Sequence, residues 1–149
     1  MNVLLMYDDA VYVDFLVQSM KAKGVRIVNF PTISDHPSII PFLLSNDHSI
    51  VVFRNPKREL LPMLKMIIRR GTIKYREPIN VNLTIWVLID VLTYVEKGVK
   101  NANEKRPPKK LQELIFKDYG VDFPSLFDIA IDISQYSNVE TLGTDYLKF

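Results

Sequence analysis

The 149-residue chain is 48% hydrophobic and 24% charged, and its 19 basic and 17 acidic residues leave a net charge of +2. That composition is globular rather than disordered, and the net charge is too small to imply nucleic acid, so any basic surface must come from local clustering. Cysteine is absent, which excludes disulfides, thiolate nucleophiles and cysteine-ligated metals.

The chain opens on Asn2–Tyr7, an apolar run without alternation that predicts a buried strand. Val11–Ala22 predicts a helix whose apolar side carries Val11, Phe15, Met20 and Ala22, stopped by Gly24. Val25–Phe30 predicts a second strand, Ser38–Leu44 a short helix and Ile50–Phe53 a third strand closed by Asn55-Pro56. Glu59–Arg69 predicts a helix with Leu60, Leu64 and Ile67 on one side, ending at Gly71. Thr72–Tyr75 and Ile79–Asn82 flank Arg76-Glu77-Pro78, the pattern of a β-hairpin. Ile85–Ile89 is a fourth core strand, Leu92–Val99 a helix, Lys100–Lys110 a polar segment and Leu111–Tyr119 another helix. Phe127–Ile133 is a fifth strand, and Val139–Phe149 a tail with a further helical turn or two.

Strands alternating with helices predict one α/β domain over residues 1–149, with a five-stranded, mainly parallel sheet covered on both faces. Ligands of such folds sit at the carboxyl ends of the strands. Those ends carry Tyr7–Ala10, Phe53–Asn55, Asp90 and Asp132. No apolar run reaches the roughly 18–20 residues of a membrane span. The start of the chain has no basic n-region and no small-residue cleavage site. The expectation is a cytoplasmic protein without membrane contact.

The turn after the first strand stands where a phosphate loop would, yet it lacks the glycines, lysine and Ser/Thr of such a loop. The frame around it resembles the AAA+ ATPase core, and within it the minichromosome-maintenance (MCM) helicases. Asn2-Val3-Leu4-Leu5 with the following turn and helix resembles that family's opening. Ser49–Phe53 resembles its Walker B strand, and Gly71–Asn82 with Thr84–Asp90 its hairpin and sensor strand. Phe123–Ile131 resembles the stretch bearing its arginine finger.

The resemblance implies the strand order 5-1-4-3-2. It places the loop glycines on Tyr7 and Ala10, the phosphate lysine on Val13 and the Mg²⁺-binding Ser/Thr on Asp14. The Walker B acids fall near Arg54 and Asn55, the sensor asparagine on Asp90 and the finger arginine on Leu126. Phosphoryl transfer depends on the groups so replaced. The expectation is a protein without ATP hydrolysis, without a cofactor and without catalytic residues.

Two other readings share the frame. In one, Asp8-Asp9 resembles the acidic pair of a response-regulator receiver, whose order is 2-1-3-4-5; Phe53 stands where the phosphoacceptor would be. In the other, Asp8, Asp9, Asp90 and Asp132 bind Mg²⁺ in a nuclease or related phosphoryl-transfer enzyme. Against a metal role for Asp8 and Asp9 stands a plain one, a turn and helix N-cap. His36 and His48 each adjoin an aspartate without a third ligand.

Arg69, Arg70, Lys74 and Arg76, with Lys65, form a basic cluster at the hairpin, and MCM-like proteins contact DNA through that hairpin. The alternative is a solvated helix end whose cations suit its dipole. A second cluster, Lys97 to Lys110, has no interleaved aromatics and reads as a solvated linker. Trp86 reads as core. Together these predict a non-catalytic accessory module in DNA replication or processing, with a protein partner or a second copy of itself, and DNA, as its targets.

Overall fold

The structure, a computed structural model, describes residues 1–31, 36–74, 76–95 and 111–136. Five strands form one all-parallel sheet: β1 (Val3–Tyr7), β2 (Ile27–Asn29), β3 (Ile50–Arg54), β6 (Thr84–Asp90) and β7 (Ile129–Asp132). Their order across the sheet is β2-β3-β6-β1-β7. β4 (Thr72–Lys74) and β5 (Pro78–Asn80) form a separate antiparallel pair. The helices are α1 (Ala10–Ala22), α2 (His36–Ser45), α3 (Leu61–Arg70), α4 (helical over residues 91–95) and α5 (Leu111–Tyr119).

Alternation along the strands divides the interior into two layers. Leu4 and Met6 of β1, Val51 and Phe53 of β3, and Ile85, Val87 and Ile89 of β6 face one side, where α2, α3, α4 and α5 contribute Leu43, Leu64, Tyr94 and Ile115. Leu5, Tyr7, Val52 and Leu88 face the other, where α1 contributes Val13 and Val17. Both faces of the middle strands are thus covered, which is why they read as continuous apolar runs.

The buried side of α1 differs from the expected one. Val13 and Val17 are fully buried with Leu16 and Met20 packed beside them, while Val11 and Phe15 are 75% and 70% exposed. The helix carries two apolar stripes at i, i+4 spacing, and only one can face the sheet. The tight β-branched pair is the one that docks.

Other elements shift by short distances. Residues 58–60 are a 3₁₀ turn, so α3 starts at Leu61 rather than Glu59. β2 begins at Ile27, not Val25. Phe123–Leu126 is a 3₁₀ turn capped by Phe127, which delays β7 to Ile129. The expected tail, Val139–Phe149, and the segment Lys100–Lys110 lie outside the described residues. No helix among the described residues is long and apolar enough to cross a membrane.

The hairpin is anchored from both sides. Gly71 caps α3 in the left-handed conformation (φ 63°), and its amide donates to the Ile67 carbonyl at 2.9 Å. Ile73 is buried in the core opposite Ile79. After β5 the Val81 amide returns to the Gly71 carbonyl at 2.8 Å, and the Asn82 amide donates to the Asp47 carboxylate at 2.7 Å. Asp47 precedes β3, so the hairpin stands at the amino edge of the sheet, opposite the strand ends that carry the acidic residues.

Candidate functional site

At the carboxyl edge, β1 ends in Tyr7 beside Asp90, the last residue of β6. Asp9 follows as the N-cap of α1: its carboxylate accepts the Val11 amide at 3.0 Å and the Tyr12 amide at 3.4 Å. These are the unpaired amides of a helix start, the groups that receive phosphate in a phosphate loop. Here the chain fills them with its own anion. Asp8 turns the other way, and its carboxylate accepts the Gln135 amide at 3.1 Å, tying the β1 turn to the segment after β7.

One turn into α1, Asp14 accepts a hydrogen bond from the Arg54 guanidinium at 2.5 Å, across from the end of β3. Next along β3, Asn55 holds a left-handed backbone (φ 46°), and its amide donates to the Leu88 carbonyl at 2.8 Å. Its side-chain oxygen accepts the Asp90 amide at 2.8 Å, and its side chain lies by the Tyr7 phenol. Asparagine suits this position because its short polar side chain tolerates φ > 0. Burial raises the Tyr7 phenol above its ordinary value; the Asp90 and Asp14 charges add to the rise, and Arg54 and the Asn55 side chain oppose it. Tyr7 therefore stands neutral in the middle of this network.

The strand-end carboxylates do not converge. Asp90 accepts the Leu92 amide at 2.9 Å as the start of α4. Asp132 is buried and accepts from the Ser134 hydroxyl (2.6 Å), the Ser134 amide (2.8 Å) and Gln112 Nε2 (2.8 Å). No group of three His, Cys, Asp or Glu residues is placed to hold a metal among the described residues. His48 meets Asp47 at 3.6 Å and Asn82 at 3.1 Å at the amino edge, far from this cluster in the fold. The His36 side chain lies outside the described set. Of the phosphate-loop positions, Tyr7 and Val13 are buried and Ala10 and Asp14 exposed. Leu126, on the finger position, packs against the core. Trp86 is half-buried against the α1 layer, and its indole N–H donates to the Met1 carbonyl at 3.3 Å.

At the opposite edge Arg69, Arg70, Lys74 and Arg76 are all exposed. Lys74 pairs with Pro78 across the hairpin and shares an outward face with Thr72, because Ile73 points in. Arg69 and Arg70 occupy the last turn of α3. The Lys97–Lys110 cluster lies outside the described residues.

Two features escape a reading of the sequence. One is the exposed face of α1, Val11, Tyr12 and Phe15. The other is a cavity of about 520 Å³ beside the ends of β2 and β3, walled by Phe30, Pro31, Phe53, Pro56 and Leu60. Its trace in the sequence is a proline soon after each strand, Pro31 directly after Phe30 and Pro56 three residues after Phe53. No family model matches the chain, and no curated protein matches it.

Proposed function

We propose that the chain is a non-catalytic, AAA+-like module related to the MCM cores, acting in DNA replication or processing by binding protein partners and DNA. The observation that carries this reading is the Asp9 cap. A carboxylate at 3.0 Å from the Val11 amide occupies the place a nucleotide phosphate would need. Asp14 and Arg54 support it, since an internal ion pair stands at the positions of the metal-binding hydroxyl and the Walker B acids. The sheet order adds further support: β6, the fourth core strand, lies between β1 and β3. That is the 5-1-4-3-2 order of AAA+ cores and differs from the receiver order.

The DNA part of the reading rests on the exposed cations of the hairpin, and the protein part on the apolar outer face of α1. The carboxylate enzyme is less favoured, because Asp8, Asp9, Asp90 and Asp132 each satisfy nearby backbone amides.

Thermal unfolding with ATP·Mg²⁺ and with Mn²⁺ is the direct test, since a ligand of the native state raises its stability. The expected result is no shift with either. A rise of several degrees with ATP·Mg²⁺ overturns the non-catalytic reading, and a Mn²⁺ shift lost in Asp9→Ala favours the enzyme. For DNA, the expected result is salt-dependent retention on DNA that Lys74→Glu with Arg76→Glu removes. Unchanged retention rules out the hairpin as the contact.

A further inference from the structure

We propose that the cavity between the carboxyl ends of β2 and β3 is a binding site for a small planar aromatic anion. Its volume, about 520 Å³, lies within the roughly 300–1,000 Å³ of small-molecule sites. It opens at the sheet edge where open α/β folds hold their ligands, but beside β2 and β3 rather than over the β1 turn. None of the phosphate-loop residues lines the cavity, which shares with the nucleotide reading only Arg54 and Asn55 at the end of β3.

The aromatic preference follows from the walls. Phe30 stacks on the buried ring of Phe53 with centroids 4.5 Å apart and planes at 22°. Phe42 meets Phe30 edge-on at 5.6 Å and 89°. The rings therefore fix one another before any ligand arrives. Pro31, Pro56 and Leu60 complete an apolar lining, and neither proline has an amide to donate. A flat ring gains contact area against such a wall, at offset-stacked or edge-on geometry.

The anionic preference follows from the rim. Arg54 and Lys57 line the cavity against a single acid, Glu59. The bond to Asp14 engages one guanidinium nitrogen, Arg54 Nη2, and among the described residues the other N–H groups of the fork have no hydrogen-bond partner. Lys57 is exposed and makes no ion pair among the described residues. The Asn55 side-chain oxygen is already committed to the Asp90 amide, so the charged recognition comes from the two cations.

The test uses 8-anilinonaphthalene-1-sulfonate as the aromatic anion and N-phenyl-1-naphthylamine as its neutral counterpart, both followed by fluorescence on the intact chain. The expected result is one saturable site per chain for the anion. Lys57→Glu is expected to weaken the anion about fivefold and leave the neutral probe unchanged. Leu60→Trp, which fills the cavity, is expected to remove both at an unchanged Tm; if that variant does not fold, Asn29→Tyr at the exposed mouth replaces it. Phe15→Ser, on the exposed face of α1, is expected to change neither. The site is overturned by the absence of saturable binding in the parent chain, by retained binding in the filled variant, or by loss in Phe15→Ser. Equal effects of Lys57→Glu on the two probes overturn the anionic preference.

Discussion

Arg54 and Asp14 lie 40 positions apart in the chain and meet at 2.5 Å, so that the end of β3 is clasped to the first turns of α1. Their side chains are 32% and 59% exposed, which sets the energy of the clasp low. Asp14→Asn is expected to lower unfolding stability by less than about 1 kcal/mol, with the difference shrinking in high salt. Urea denaturation at two salt concentrations measures it. A loss above about 2 kcal/mol would mark the pair as a desolvated one, contrary to its exposure.

The Asp9 cap is a stronger local device. Asp9→Ala leaves the Val11 and Tyr12 amides without their acceptor and is expected to cost about 1 kcal/mol, whereas Asp9→Ser keeps most of it. Chemical unfolding of the two variants side by side shows whether the side chain or merely the turn holds the helix start.

The two stripes of α1 give a packing test. Val17 is 1% exposed and Phe15 70%. Val17→Ala is expected to cost about 2 kcal/mol, and Phe15→Ser to fall within about 0.5 kcal/mol of the parent chain. Reversed magnitudes would mean the helix docks by its other side.

The hairpin depends on its anchors. Gly71 has φ 63°, and a Cβ there would sit 3.5 Å from the Val81 carbonyl oxygen. Space is adequate, so the cost of Gly71→Ala is conformational, about 1 kcal/mol. Ile73→Ala empties a fully buried position and is expected to cost about 2–5 kcal/mol. Thermal or urea unfolding checks both.

Three tyrosines set the alkaline limit. Burial is the largest cause of the raised phenol of Tyr94, followed by the neighbouring Tyr119 and Asp118. Tyr7 and Tyr119 are raised by burial as well. The folded state keeps these protons at a pH where the unfolded chain releases them. Their contribution is therefore whole below the ordinary tyrosine value of 10.0 and falls as pH climbs beyond it. The Tm is expected to be insensitive to tyrosine ionisation at neutral pH and to drop above about pH 10. Tyr94→Phe should flatten that drop. Phenolate absorbance recorded with the melt separates tyrosines from other groups.

β1, β3 and β6 were legible because strands covered on both faces need apolar residues at every position, as Val3–Met6, Ile50–Phe53 and Ile85–Ile89 show. The hairpin was legible from Glu77-Pro78 between two short β-prone runs. The docked side of α1 was not, since Val11/Phe15 and Val13/Val17 are equally periodic and the choice is made by what they pack against. The ends of β2 and β7 were misplaced for a related reason: Val25 and Phe127 look like strand residues, but no partner strand lies beside them. The site was the least visible part. The Arg54–Asp14 clasp and the cavity both join segments far apart in the chain, Phe30 with Leu60 and α1 with β3, and no local spacing announces such a meeting.

α3 has ten residues, a rise of about 15 Å at 1.5 Å per residue. The turn before it carries Leu60 on the cavity wall, and its last turn carries Arg69 and Arg70 beside the hairpin. Sites separated by more than about 7–10 Å without shared partners combine their mutational energies as simple sums. A double variant with one change at each end of this helix therefore measures something neither single variant does. Additive energies make α3 a spacer between two independent surfaces, and a non-zero interaction energy makes it the path by which one surface feels the other.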